Sequence, residues 1–242
     1  MVNLQNGSKS LFLITMIAFL IQGIDARRRL DRRSDVTGPA SVAQSGWTVP
    51  LEGAKTCTDS THCTDMLTGP PTTSTLQYLA VGRGTITYTC AGRKDTEAPL
   101  YLRQDTYLYD AAPLIPKFSS EAQFHTYIPR FLEYDYTSLD NSSLSCIGNI
   151  QTINGMSVFD LYKIDAFPVQ IKEVVNSPDD IHFNLKWAHS YGGTNWDVYR
   201  VETAGGGPPY DCGDQIINDE IPAEYAAEYW FYQKKVNGYA GR

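Results

Sequence analysis

Four carboxylates are the side chains in this sequence best suited to catalysis. Glycoside hydrolysis needs only two acids, about 5 to 10 Å apart, one to donate a proton and one to act as base or nucleophile. The candidate acids are Asp160, Asp197, Glu202 and Glu228. Alternation along an extended strand puts Glu202 on the same face as Arg200, so a cross-strand ion pair is the competing interpretation, and the one we favour. Glu228 precedes the aromatic residues Tyr229 and Trp230. Burial of its carboxyl group among them would raise the pKa of Glu228.

Aromatic side chains are the most unusual feature of the composition, with 16 Tyr, 9 Phe and 4 Trp. An exposed row of such rings could stack on sugars, because each ring has a flat apolar face. The residues suited to this binding role are Trp187, Trp196, Tyr199 and Trp230. Residues 229–232 place aromatic rings on both faces of one strand, so we favour two packed layers of a β core as the simpler interpretation.

The sequence lacks the residue patterns of other common catalytic and metal-binding sites. Ser190 is followed by Tyr-Gly-Gly but is not preceded by the glycine of a nucleophile elbow, which indicates a turn. His182 and His189 fall on opposite faces of an extended strand. His62 and Cys63 are adjacent, a spacing unlike that of paired zinc ligands. We therefore expect neither a metal nor a cofactor.

The N-terminal residues predict an export signal. Lys9 is followed by an apolar run over residues 11–21, and Ala26 is a small residue at the expected cleavage point. The run is shorter than the roughly 20 residues that span a bilayer. A retained anchor is thus the weaker alternative, and we expect no membrane contact after cleavage. The Arg32-Arg33 pair would allow a second cut, which leaves Ser34 as the first residue.

The charge of the chain argues against nucleic acid as a partner. The sequence has 20 Lys and Arg against 27 Asp and Glu, a net charge of −7. Residues 1–33 hold six of the basic and two of the acidic residues, so the remainder carries a charge of about −11. Such a surface repels phosphate backbones, whose binding requires clustered basic residues.

Five cysteines follow the signal: Cys57, Cys63, Cys90, Cys146 and Cys212. An oxidising compartment favours their pairing, so we expect two disulfides and one remaining thiol. Fifteen ways of forming two pairs are open, and the sequence does not choose among them. Asn141 begins an Asn-Ser-Ser acceptor for N-glycosylation in a polar stretch.

Alternating polar and apolar residues predict a mostly β domain at residues 76–242, after an irregular Ser/Thr/Pro-rich arm and basic pro-segment at 27–75. We expect a hairpin of residues 76–81 and 85–90 around a turn at 82–84. Further strands are expected at residues 106–110, 157–164, 169–175, 181–189, 197–203 and 227–233, and short helices at 119–132 and 222–225. This order favours an antiparallel β-sandwich or barrel-like single domain with one or two short helices.

Several segments carry a family resemblance. They are residues 76–90 (LQYLAVGRGTITYTC), 108–111 (LYDA), 158–161 (VFDL), 198–206 (VYRVETAGG) and 226–232 (AAEYWFY). With them the chain resembles the secreted fungal and bacterial family known as domain of unknown function 3455. The resemblance implies an exported β-rich domain with no assigned reaction.

Members of that family are often labelled malate dehydrogenase, a label that implies a nicotinamide cofactor. Residues 82–84 (Gly-Arg-Gly) are the only candidate for a dinucleotide loop. They lack the third glycine and lead into a Thr-rich strand, whereas a dinucleotide loop leads into a helix. We therefore do not expect an NAD-dependent malate dehydrogenase.

The leading functional hypothesis is a secreted protein, extracellular or associated with a cell wall, that recognises cell-wall polysaccharide or a host surface without catalysis. A secreted glycan hydrolase that uses two of the four carboxylates is the alternative, and a self-associating coat component is a third. A binding module should present an open aromatic strip. A hydrolase should hold two carboxylates with shifted pKa values in a cleft.

Overall fold

The computed structural model describes residues 40–57, 62–134, 139, 142–180, 182–193, 195–213 and 220–234. Eight strands of this part of the chain form one closed antiparallel barrel. They are β3 (Ser74–Thr89), β4 (Leu100–Asp110), β5 (Cys146–Ile153), β6 (Met156–Leu161), β7 (Asp165–Val175), β8 (Trp187–Gly192), β9 (Trp196–Gly205) and β10 (Glu220–Lys234). The expected signal, its flanking arginines and Asn141 lie outside the described residues.

The barrel has the simplest closed topology. Each strand from β3 to β9 pairs with the next one along the chain, and β10 pairs with β3 to close the circle. Closure leaves no open sheet edge. The predicted class of a mostly β, antiparallel domain with short helices is confirmed, and its form is the barrel rather than the sandwich.

The remaining elements lie around the barrel. They are helix α1 (Ala40–Ala43), strands β1 (Glu52–Cys57) and β2 (Cys63–Met66), a 3-10 helix (Ala112–Lys117) and helix α2 (Glu121–Tyr134). The antiparallel pair β1 and β2 forms a separate small sheet. No helix in the described part of the chain is both long and apolar enough to cross a membrane.

The hairpin predicted around residues 82–84 is wrong, because these residues continue one long strand. In β3, Gly82 and Gly84 pair with Ala227 and Tyr225 of β10. A Cβ added to Gly82 would lie 2.4 Å from the ring of Tyr229. A Cβ added to Gly84 would lie 2.1 Å from a backbone oxygen of β4. Both glycines therefore permit close packing of strands and are not turn residues.

Two other predictions are also wrong. The short helix expected at residues 222–225 is part of β10; residues 220–224 pair with β3 but not with β9, and such an edge position tolerates Pro222. The strand expected at residues 181–189 begins only at Trp187. Residues before it form a turn, in which the N–H of Phe183 donates to the carbonyl of Asp180 at 3.2 Å.

The alternating aromatic pattern gives the protein two apolar cores. Tyr229 and Phe231 belong to a core inside the barrel. Trp230 and Tyr232 belong to a second core outside it, which α2 and the N-terminal arm cover. Helix α2 contributes Phe124, Ile128 and Leu132 to this outer core, with the spacing of one helix face. The expectation of two packed aromatic layers is thus matched by the structure.

Two disulfides fasten the periphery. Cys57–Cys63 joins β1 to β2, and Cys90–Cys212 joins the end of β3 to the loop after β9. Cys146 keeps its thiol, whose Sγ lies 3.6 Å from the carbonyl oxygen of Gly148. The prediction of two disulfides and one remaining thiol is confirmed.

Candidate functional site

One end of the barrel is filled by stacked aromatic rings. Phe167 stacks on Phe159 and on Trp196, each at 5.8 Å between ring centroids, and Phe231 packs edge-on against Phe159. The fit is tight, since a Cβ at Gly192 would lie 2.1 Å from the ring of Phe167. The start of β7, the end of β8 and the start of β9 meet here, so this end is closed by side chains.

The other end of the barrel opens into a cavity of about 730 Å³, which we call the mouth cavity. Strand segments of β3, β4, β6, β7 and β9 line it, together with the β5–β6 turn and the loops after β3, β7 and β9. The lining residues are Ile86, Tyr88, Ala98, Tyr101, Gln104, Gly155, Met156, Ser157, Val169, Ile171, Val174, His182, Asn184, Leu185, Lys186, Arg200, Pro208, Pro209 and Tyr210. Ligand pockets typically measure about 300 to 1,000 Å³, and the mouths of β-barrels are among the places where they occur.

Large apolar side chains are exposed around this cavity. The five that line it are between 42% and 85% exposed: Tyr101, Met156, Ile171, Val174 and Tyr210. They come from three strands and one loop, so they meet only in the folded barrel. A contiguous exposed apolar surface at a concave site is typical of a binding site.

A buried hydrogen-bonded cluster lies next to the cavity. Gln104 Nε2 donates to the hydroxyl of Tyr225 at 2.6 Å and to Thr106 Oγ1 at 3.1 Å. The hydroxyls of Tyr225 and Tyr229 are 2.6 Å apart. Of these four residues Gln104 lines the cavity directly. Because the polar groups bond to one another, the cluster keeps buried polar atoms satisfied beneath an apolar wall.

Arg200 brings a positive charge into the barrel from the middle of β9. Its Nη2 donates to the carbonyl of Lys186 at 3.0 Å, while its buried Nε has no hydrogen-bond partner among the described residues. Burial raises the pKa of Tyr88 to about 12 and also raises that of Tyr225 and Tyr229, and the charge of Arg200 opposes all three shifts. The guanidinium therefore sits beside three protonated phenols.

The charge of the cavity wall is opposite to that of the protein. Its described lining contains Arg200 and Lys186 and no Asp or Glu, although acidic residues outnumber basic ones by 27 to 20 in the chain. Neither cation forms an ion pair with a described carboxylate. The wall thus combines apolar contact with an uncompensated positive charge.

Two of the four predicted catalytic acids come together, but under helix α2 and not in the mouth cavity. Glu228 is fully buried; its oxygens lie 2.9 Å from Nδ1 of His125, and one accepts a hydrogen bond from Trp230 Nε1 at 3.0 Å. Burial, and next the charge of Glu228, raises the pKa of Glu202 to about 7. Burial lowers the pKa of His125, but the hydrogen bond and charge of Glu228 raise it to a net value above 6.5.

The predicted face-sharing of Glu202 and Arg200 is wrong. A register shift interrupts β9 where it pairs with β10, and Glu202 has a φ of 47°. Such a bulge breaks the alternation of side chains. Arg200 lines the mouth cavity, whereas Glu202 lies within electrostatic reach of His125 and Arg130 on α2.

The other two predicted acids lie apart from this pair. Asp197 is buried, with Oδ1 3.1 Å from Nε2 of His189 and Oδ2 3.4 Å from Nζ of Lys234. His189 is stacked on Tyr199 at 4.2 Å and lies 3.4 Å from Glu173, so it belongs to a polar cluster and is not isolated. Asp160 is exposed on β6.

The four predicted sugar-stacking residues are all buried. Trp187, Tyr199 and Trp230 belong to the outer core and Trp196 to the inner one, with at most 4% of each exposed. They do not form an open strip. Ser190 is buried in β8, and no group of three or more metal-binding side chains occurs among the described residues.

Sequence reasoning missed the mouth cavity. Its lining comes from segments far apart in the chain, and Ile171, Val174 and Met156 looked like ordinary strand residues. One signal was available in the sequence. Arg200 is a positively charged residue in the aromatic-rich segment 196–204, and a positive charge is unusual inside a barrel.

One family model matches the chain, over residues 70–233; its description is "Protein of unknown function (DUF3455)". The match includes all eight strands of the barrel except the last residue of β10. No curated protein and no solved structure matches the chain.

Proposed function

This chain belongs to the family of proteins of unknown function DUF3455, and we propose that it is an exported protein that binds a small, mostly apolar molecule in the mouth of its barrel. The observation that carries the proposal is the unequal filling of the barrel. Aromatic rings pack one end, while the other holds a cavity of about 730 Å³ with exposed apolar walls. Eight-stranded barrels are wide enough to hold one small ligand.

The cavity wall favours binding over catalysis. A hydrolytic site needs a nucleophile or acid–base pair beside the substrate. The described lining offers no carboxylate or cysteine for that task, and the hydroxyl of its Ser157 lies 3.5 Å from the hydroxyl of Tyr101 instead of bonding to a histidine. A binding site needs a concave apolar wall with a few polar groups that orient the ligand. Gln104 and Arg200 supply those groups here.

Export supports this role. Two disulfides fit an oxidising compartment, and residues 1–26 have the charge and apolar pattern of a secretion signal. Outside the cell a closed, disulfide-fastened barrel protects an apolar ligand from water. The protein would then recognise a cell wall or a host by binding one of its small molecules in the mouth cavity.

The alternative function, glycan hydrolysis, depends on Glu202 and Glu228. The raised pKa of Glu202 favours it, because a general acid must stay protonated near neutral pH. The burial of Glu228 opposes it, because both of its oxygens are occupied by His125. A release of reducing sugar from polysaccharides that is abolished by Glu202→Gln would establish this alternative over ligand binding.

Titration with Nile red, a neutral dye whose emission rises in apolar surroundings, tests the binding proposal. Val174 is 42% exposed at the cavity wall, so Val174→Trp fills the mouth without disturbing a packed core. We expect saturable dye binding by the wild type and at least tenfold weaker binding by this variant. Tyr107→Trp, on an exposed position of β4 away from the cavity, is the control. Equal dye binding by all three proteins would refute the proposal.

A further inference from the structure

The charge in the wall of the mouth cavity distinguishes one class of apolar ligand from the others. Arg200 lies in the middle of β9 and is level with Val174 of β7, because both residues pair with Ala188 of β8. Ile171 of β7 lies one step nearer the aromatic end, since it pairs with Ser190 and so is level with Val198. A molecule that fills the cavity therefore contacts the guanidinium and these apolar side chains together.

The surroundings of Arg200 leave its charge available to a ligand. Its described hydrogen bonds go to neutral groups, the carbonyl of Lys186 and the phenol of Tyr229, and its buried Nε has no described partner. Arg200 is half-buried, and a cation that is partly removed from water is stabilised by an anionic partner. No described carboxylate forms an ion pair with it, and none lines the cavity.

The groups around Arg200 favour a ligand that accepts hydrogen bonds. Tyr225, Tyr229, Thr106 and Gln104 already bond to one another, so they hold the floor rigid and present no carboxylate to the guanidinium. An incoming anion can accept charge-assisted hydrogen bonds from Arg200, which are stronger than those between neutral groups. An incoming amine would be repelled by the same charge.

We propose that the ligand is a single-chain anionic amphiphile, such as a fatty carboxylate, with its head group against Arg200 and its apolar tail along Ile86, Val169, Ile171 and Val174. This inference rests on the proposed function, since it requires the mouth cavity to be the binding site. It adds the chemical class of the ligand and the residues that its head group and its tail contact.

Three amphiphiles with the same tail test the inference: decanoate, 1-decanol and decylamine, each measured by displacement of Nile red at neutral pH. We expect decanoate to bind at least tenfold more tightly than the other two, the factor that a hydrogen bond to a charged group supplies. In Arg200→Met this preference should disappear while 1-decanol binds as before. Arg200→Lys, which keeps the charge, should retain part of it.

Lys186→Met is the matched control, because Lys186 also lines the cavity but is exposed to solvent, which screens its charge. It should change decanoate binding less than threefold. Equal binding of the three amphiphiles by the wild type overturns the inference, and so does a preference that depends on Lys186 instead of Arg200. In both cases binding of Nile red and 1-decanol leaves the proposed function standing, whereas absence of all binding removes both proposals.

Discussion

The carboxylate cluster under helix α2 should make the protein less stable as the pH rises. Glu202 has an ordinary pKa of 4.5 and a folded value of about 7. Between these two pH values the unfolded chain is ionised at this residue while the folded protein keeps the proton. The folded state then binds more protons, so the free energy of unfolding falls as the pH increases.

The structure sets the size of this effect. Each pKa unit corresponds to about 1.4 kcal/mol, so Glu202 stabilises the fold at pH 4.5 by at most about 3 kcal/mol relative to pH 8. His125 acts in the same direction, because its raised pKa gives stability that is present below pH 6.5 and is lost above its folded value. Glu173 acts oppositely at lower pH, because its lowered pKa gives stability that is lost as the pH falls below 4.5.

Urea unfolding followed by tryptophan fluorescence across pH 4.5 to 8 measures this dependence. The variant Glu202→Gln is neutral at every pH, so it should be up to about 3 kcal/mol more stable than the wild type at pH 8 and equal to it at pH 4.5. Glu52→Gln, at an exposed position of β1, is the control and should follow the wild type. A variant Glu202→Gln that loses stability at pH 8 would refute the reasoning.

Further predictions concern the frame of the barrel. Gly84→Ala should lower the free energy of unfolding by about 3 kcal/mol or more, since its Cβ would lie 2.1 Å from the backbone oxygen of Asp105. Gly69→Ala is the control: its Cβ would have its nearest contact at 3.4 Å, so the free energy of unfolding in the same urea assay should change little. Loss of Cys90–Cys212, which closes a loop of 122 residues, should cost about 5 kcal/mol by loop entropy. Loss of Cys57–Cys63, with a separation of 6, should cost only about 2 kcal/mol. Equal losses for the two bridges would contradict the entropic origin.

The sequence predicts most of the barrel because burial follows local alternation. The alternation at residues 229–232 indicated rings on both faces, and both faces are buried. The prediction from alternation fails where a residue is required for contact with strands that are distant in the chain. Gly82 and Gly84 look like turn residues until β4 and β10 lie against them, and Pro222 resembles a helix start until β3 pairs beside it.

The candidate site was much less accessible to sequence reasoning. Glu202 and Glu228 were recognised as acids, but the bulge in β9 decides that Glu202 faces α2. Strand alternation predicts that Arg200 and Glu202 share one face, and the bulge separates them. The mouth cavity needs the closure of eight strands, and no local pattern specifies which of their apolar residues stay uncovered at one end.

The location of a bound ligand tests the central claim most directly. Nuclear Overhauser effects between protons of bound decanoate and assigned methyl groups would locate it. We predict contacts with the methyls of Val169, Ile171 and Val174 in the mouth cavity. Contacts with Ile128 and Leu132, in the outer core beneath α2, and none with the mouth residues would contradict the account.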